Sequence, residues 1–371
     1  MNRLILLAVA ALLLLAPGCN KDAIDQASEP TDKYDANHYI RLAESLLAEG
    51  AEEVEYRGAT VTVPAGSVDA IEDAVNQAGQ GGTVILESGL HTEDATVVIN
   101  YKVKITGQPG AIVEFETGDE TVGFPYVSNP GFHILGASNV IIENLYIRDA
   151  NESGPTGILI EGSNQTRIRG NTLEYFELGI AQYGSDNTQV YNNVITGVLS
   201  FGGVGVLNVV GNNMKIYFNT ISNNNLDIFV GDRGGLIMSN HFNSTGATGL
   251  LLCTPNIGGV YLVLPSGQTV AADESANRWL VLRNYSENHA WNYLVIDNAN
   301  NNTLVNNDGD NALLSDIEMA GDSFRFGFFT PTSFGNLAIS SAYPDITIKV
   351  CGVDNEAVGG TLIDTNQFPC D

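Results

Sequence analysis

Five carboxylates, Asp149, Glu152, Glu161, Asp227 and Asp232, fall in segments that would border a surface groove. Glycoside hydrolysis needs two carboxylates roughly 5–10 Å apart. β-Elimination from a uronic acid needs instead a base, often Lys or Arg, and a cation against the sugar carboxylate. Asp149 and Glu161 belong to neighbouring repeats of the pattern described below and form the candidate catalytic pair. Asp232 and Arg233 are a separate candidate three repeats on, about 14 Å away at ~4.8 Å per repeat, too far to join the same centre. Asp232 also occupies a Gly/Ser/Asn turn position, where Asp is ordinary turn chemistry.

Binding candidates come from aromatic and basic residues. Tyr183 and Phe229 could stack on sugar rings. Arg167 and Arg169, then Gln189 and Tyr191, then Lys215 and Tyr217 alternate outward on consecutive strands. Three scarce cations thus share one face with two tyrosines and could grip an acidic glycan. The competing expectation is a solvated face on which Glu143 offsets Arg169. The row Leu159, Ala181, Tyr183, Leu207, Val209 and Phe229 is mostly apolar, and cover by loops or a partner is the expectation for it. The five histidines (38, 91, 133, 241 and 289) have no metal-ligand spacing. Calcium is the one ion to consider, at residues 297–302 and 306–310, but Asn-rich turns explain those stretches better. No phosphate loop or Gly-x-Ser-x-Gly elbow is present.

The elements that must position these residues repeat. Asn171, Asn193, Asn219 and Asn240 each follow an aliphatic residue by three, and Asn144 begins the series in a slightly different frame. A second marker, Gly157-Ile, Gly179-Ile, Gly205-Val, Asp227-Ile and Gly249-Leu, runs in step, as does a Gly/Ser/Asn turn. The period is about 22 residues, the signature of a solenoid whose repeats must stack to bury their apolar faces. Three short strands per repeat predict an all-β parallel β-helix with a stacked Asn ladder at one corner. Ser67 to Ala78 reads as a helix, N-capped by Ser67, that covers the N-terminal end of the stack. Two repeats carry extra residues at one corner, Arg148–Thr156 and Gly197–Gly203.

SVDAIEDAVNQAGQGGTVILESG, followed by NVIIENLYI and the Asn-marked coils, resembles the pectate-lyase-like right-handed β-helix superfamily over roughly residues 60–255. The resemblance implies a right-handed coil with a substrate groove over the Gly-Ile strand. It implies no single activity, since such folds serve lyases, hydrolases, epimerases, adhesins and non-catalytic modules. The Asn-Thr-Asp, Asp-Asp and Gly-His-Gly motifs of the related hydrolases are absent, as is the Asp-Pro-His-Asp motif of the alginate epimerases.

Outside the repeats, residues 1–18 read as a signal peptide: Arg3, an apolar run Leu4–Leu15, then Ala16-Pro17-Gly18 before Cys19. The ending resembles a bacterial lipoprotein signal with Cys19 as the lipidation site, although Ala16 and Pro17 depart from the usual pattern. Residues 19–36 form an acidic tether; 37–66 hold a short amphipathic helix and a lead-in; 67–255 are the β-helix; 256–371 are decorated coils and a cap, with a separate small β domain as the alternative. Export permits disulfides, and Cys351 with Cys370 is the expected pair, leaving Cys253 free. The chain has 371 residues, 16 Lys+Arg against 43 Asp+Glu, and a net charge of −27. That balance argues against nucleic acid as partner and against adsorption to anionic lipid, so membrane contact is through the lipid alone. The sequence therefore points to an exported, membrane-anchored β-helix, periplasmic or at the cell surface. It would bind, and as lyase or hydrolase degrade, an acidic polysaccharide; the alternative is a non-catalytic adhesion or structural module.

Overall fold

Short segments with inward aliphatic and outward polar residues, such as Gly82–Leu86 (GTVIL), form strands because only one face can be buried. The computed structural model describes residues 33–49, 54–116, 129–152, 154–198, 203–253, 261–271, 276–296, 299–319, 333, 335–352 and 354–363. The signal pattern with Cys19, most of the tether, and Cys370 lie outside these residues.

The strands stack in three parallel columns. Column A contains Val97–Ile99, Pro130–Leu135, Gly154–Glu161, the second half of Thr172–Asp186, the first half of Val204–Tyr217, Leu226–Val230, Thr248–Leu252, Trp291–Val295, Ser315–Met319, Thr347–Val350 and Thr361–Leu362. Column B contains Thr60–Val63, Gly82–Leu86, Val103–Gly107, Ile141–Glu143, Arg167–Arg169, Gln189–Tyr191, the end of Val204–Tyr217, Arg233–Met238, Asn277–Leu282, Thr303–Val305, Leu337–Ser340 and Glu356–Gly359. Column C runs from Gly89–Glu93 through Ala111–Phe115, Tyr146–Asp149, the start of Thr172–Asp186, Val194–Gly197, Thr220–Ser222, His241–Asn243 and Tyr285–Glu287 to Asp308–Asp310. Inward side chains from all three columns make one continuous core, from Val63 to Ile348. The strands after residue 276 pair onto the same sheet and so prolong the stack.

The corner between columns B and C has two seats per coil. The first is left-handed: Asn144, Gly170, Asn192, Phe218, Ser239, Arg283 and Asn306 all have φ between 47° and 64°. The second is a buried rung. Asn171 donates through its backbone N–H and Nδ2 to Asn193 Oδ1, and Asn193, Asn219, Asn240, Asn284 and Asn307 continue the ladder in the same way, at 2.9–3.2 Å. Asn144 is not a rung, contrary to the sequence reading. It is exposed in the left-handed seat, and the rung beside it is Leu145, whose N–H donates to Asn171 Oδ1. A second ladder, Asn302, Asn336 and Asn355, stands at another corner.

One helix covers the N-terminal end of the stack and another lies along its side, and the first is not capped as the sequence suggested. The capping helix starts at Ile71 and ends at Ala78. Ser67 spends its hydroxyl on Pro64 O. The cap is instead Glu93, from column C, whose Oε1 accepts the N–H groups of Ala70 and Ile71 at 3.1 and 3.0 Å. The other helix, α1 (Ala36–Ala48), is N-capped by Asp35 and lies along the outward face of column B. Its Tyr39 and Ala43 pack on Leu236, Met238, Leu280, Leu282, Val305, Leu337 and Ile339. It starts beside the last coils, where Lys33 and Tyr34 reach Glu356, and ends at Lys215. Cys253 is buried and free, and Cys351 is disulfide-bonded.

Candidate functional site

The outward face of column A is closed. Leu159, Tyr183, Leu207, Val209, Phe229, Leu251, Trp291 and Leu294 form a buried cluster there, joined by Leu264. Leu264 comes from a hairpin, Tyr261–Val263 paired with Thr269–Ala271, that is inserted between columns A and B. The hairpin turn doubles back over four coils, about 19 Å at ~4.8 Å each, to reach Glu161 through the Ser266 hydroxyl. Glu161 also takes a 2.8 Å bond from His133 Nε2 and is wholly buried. Tyr183 is likewise fully buried, which raises its hydroxyl pKa, so it offers no ring to a ligand.

The candidate catalytic pair does not assemble. Arg148, next to Asp149, aligns with Glu174 of the following coil, whereas Glu161 aligns with Tyr183. Between those positions runs the extended stretch from Phe176 to Tyr183, about 23 Å long at ~3.3 Å per residue, so Asp149 and Glu161 lie towards opposite ends of it. Both are buried, and Asp149 Oδ2 accepts the Asn151 N–H at 3.0 Å. The sequence reading erred because neighbouring coils do not imply neighbouring ends of a strand. Asp232 is a buried turn residue: it accepts from Arg233 N–H at 2.5 Å, and its carbonyl accepts Trp279 Nε1 at 2.7 Å. Asp227 is buried too, bonded to His289 Nε2 at 2.9 Å and to the Ser244 hydroxyl at 2.5 Å. Among the described residues no group of three or more His, Cys, Asp or Glu is placed to hold a metal.

On column B the scarce cations divide. Lys215 is withdrawn from any ligand: its ammonium caps the C-terminal end of α1, donating to the carbonyls of Leu46 and Glu49. Burial lowers its pKa, and the nearby Glu49 opposes that. Arg169 is held by Glu143 through Nε at 2.6 Å, and its Nη1 donates to the Tyr191 hydroxyl at 2.9 Å. Lys104 takes the other Glu143 oxygen at 2.6 Å. Burial would raise the Glu143 carboxyl, but these two cations bring it below its ordinary value. Arg167 is buried, on the strand that carries Arg169.

What stays partly open is an aromatic ladder in which Tyr191 and Tyr217 are half-buried and Phe218 is exposed. Arg169, Tyr191 and Tyr217 are in register on successive strands. Tyr191 and Tyr217 stack face to face, centroids 4.7 Å apart and planes 5° from parallel. Phe218 meets Tyr217 edge-on at 5.5 Å and is 50% exposed. It holds the left-handed corner seat, where a bulky residue is a backbone outlier. Phe218 was not among the residues expected from the sequence, although its place just before a rung asparagine marks it. A second open group lies on column C: Tyr285 donates to Asp310 Oδ2 at 3.0 Å, with Glu287 Oε2 at 3.5 Å, and His241 Nε2 meets Glu287 Oε1 at 3.1 Å. Burial and the surrounding acids push the Tyr285 hydroxyl up to about 12.

Residues 88–195 match the family model described as a right handed beta helix region. The Dettilon tailspike protein shares this architecture, at 15% identity and a TM-score of 0.52, over 81% of this chain and 68% of its own. The chain is a right-handed parallel β-helix. The Geobacillus virus E2 protein ORF18 aligns at 14% identity and TM-score 0.49 over 92% of this chain, which spans 66% of that protein. The Streptococcus pneumoniae surface protein and adhesin PfbA aligns at 13% and 0.47 over 83% of this chain and 96% of its own. No curated protein matches the chain in sequence. Identities this low concern the β-helix fold alone.

Proposed function

We propose that this β-helix binds a polysaccharide, without cleaving it, outside the cytoplasm on a lipid anchor at Cys19. One observation carries the binding: Phe218, 50% exposed at the end of the half-buried Tyr191–Tyr217 stack. The two tyrosine faces are spent on each other, and the half-exposed Phe218 ring is the one that suits the apolar face of a sugar. Phe218 costs about 1–2 kcal/mol in a left-handed seat, and half its surface remains in water, so burial alone does not account for it. Strain of that kind calls for a functional reading. The separation of Asp149 from Glu161 supports binding without cleavage. The apolar run Leu4–Leu15 before Cys19 supports export and anchoring.

Hydrolysis is a second reading, favoured by one observation. The shared Tyr285 hydroxyl, with legs of 3.0 and 3.5 Å, holds the Glu287 and Asp310 oxygens no more than about 6.5 Å apart, a bound that admits the closer spacings of glycosidase carboxylates. One experiment separates the readings: electrophoresis through gels cast with a panel of polysaccharides, alongside assays for reducing ends and unsaturated uronates. Retardation without product is the expected result. Product that disappears in Glu287→Gln would favour hydrolysis, and no retardation by any polymer would refute binding.

A further inference from the structure

We infer that the ligand is a polyanionic glycan lying parallel to the coil axis, over Lys102, Lys104 and Arg169 and onto the Tyr191–Tyr217–Phe218 ladder. This rests on the binding reading above and adds the chemical class of the glycan. The chain has only 16 basic residues against 43 acidic ones. Yet Lys102, Lys104, Arg167 and Arg169 all belong to the first coils of column B or their edge. The acid among them, Glu143, is buried and already shared by Lys104 and Arg169. Lys102 Nζ donates to Glu55 O at 2.9 Å and sits 5.1 Å above the Tyr56 ring. The Glu55 carboxylate is taken by Arg57 at 2.6 Å. Among the described residues the strip therefore carries a positive excess, Lys102, Lys104 and Arg169 against Glu143, on a strongly negative molecule.

The strip is long enough for that excess to be felt. From Lys104 to Tyr217 it crosses four coil steps, about 19 Å at ~4.8 Å each. Salt screens exposed charges beyond about 8–10 Å. A carboxylated or sulfated chain on the strip thus meets the local cations, while the distant acids are largely screened. The exposed Phe218 ring at the lower end gives the same chain a stacking surface. The exposed part of column C ends in Glu287, Asp308 and Asp310 and would repel such a chain, which leaves column B as the favoured track.

The test uses the full-length protein in gels cast with polygalacturonate, with alginate and with neutral dextran, at about 50 and about 500 mM salt. The two anionic polymers should retard the protein at low salt, and less at high salt; dextran should not. Lys102→Glu touches no buried pair and should weaken retardation about threefold. Lys102→Glu with Arg169→Gln should weaken it about tenfold, with melting curves confirming a folded protein. Retardation by dextran as strong as by the polyanions, or folded variants that bind as well as the parent, would overturn the inference and leave polysaccharide binding standing. Retardation by no polymer would overturn the binding reading itself.

Discussion

Replacing Asn219 by Ala removes one rung from the middle of the corner ladder. Asn219 Oδ1 accepts the Asn193 N–H and Nδ2 at 3.0 Å each, and its Nδ2 donates to Val190 O and Asn240 Oδ1 at 2.9 Å. After truncation Asn193 Nδ2 keeps Ile168 O, and Asn240 Oδ1 keeps the Asn219 N–H. The buried Asn193 N–H loses its acceptor. Leaving that one donor unsatisfied costs about 1–3 kcal/mol, and each of the three further lost bonds about 0.5–1.5 kcal/mol, so the total is about 2.5–7.5 kcal/mol. That is a large share of a domain's usual stability. The assay is equilibrium unfolding in denaturant, with Asn144→Gly as control. Asn144 lies exposed in the left-handed seat at φ 58°, where Gly is at no disadvantage, so the control should change stability by less than about 0.5 kcal/mol. A loss below about 1 kcal/mol for Asn219→Ala, or equal losses for the two variants, would refute the two-seat description of the corner.

Other perturbations test the remaining parts. Burial, with Asp69 and Glu72 nearby, raises the Glu93 carboxyl to about 7 against hydrogen bonds from Ile71 and Ala70 that lower it. The folded state then holds a proton that the unfolded chain has released, so stability should fall by up to about 3 kcal/mol as pH rises from about 4.5 to about 7; Glu93→Gln should flatten that slope, and an unchanged slope would contradict the assignment. Lys215→Met should free the end of α1, with faster hydrogen exchange in residues 43–49, a local cost of about 1–2 kcal/mol and unchanged exchange in the core strands. Tyr183→Ala should destabilise by about 3–5 kcal/mol as a core truncation, while the protein that remains folded binds glycan as before.

Much of the coil was legible because its constraints are local. Asn171, Asn193, Asn219 and Asn240 recur at the coil period since each must fill the same buried notch. Asn144 misled because the left-handed seat and the rung are adjacent and both favour Asn, as the doublet Asn192-Asn193 shows. Asn284 and Asn307 escaped because the inserted residues before Asn277 stretch the interval after Asn240. The site was less legible because distant segments decide what is exposed. Tyr183 looked outward and is outward, but a hairpin some 80 residues later covers it. Lys215 resembled a ligand-binding cation until α1, far upstream, brought its carbonyls to it. Ser67 was the obvious local cap, yet the capping helix takes its cap from Glu93, on a different column.

Phe218→Asn is the most direct measurement on the binding claim. Asn holds the same seat at Asn144, Asn192 and Asn306, so the exchange removes the ring and keeps the backbone. Titration with a polysaccharide that the parent protein binds should show about five- to tenfold weaker affinity, about 1–1.4 kcal/mol, with a melting temperature equal to or above the parent's. Unchanged affinity in a folded Phe218→Asn protein would contradict the account.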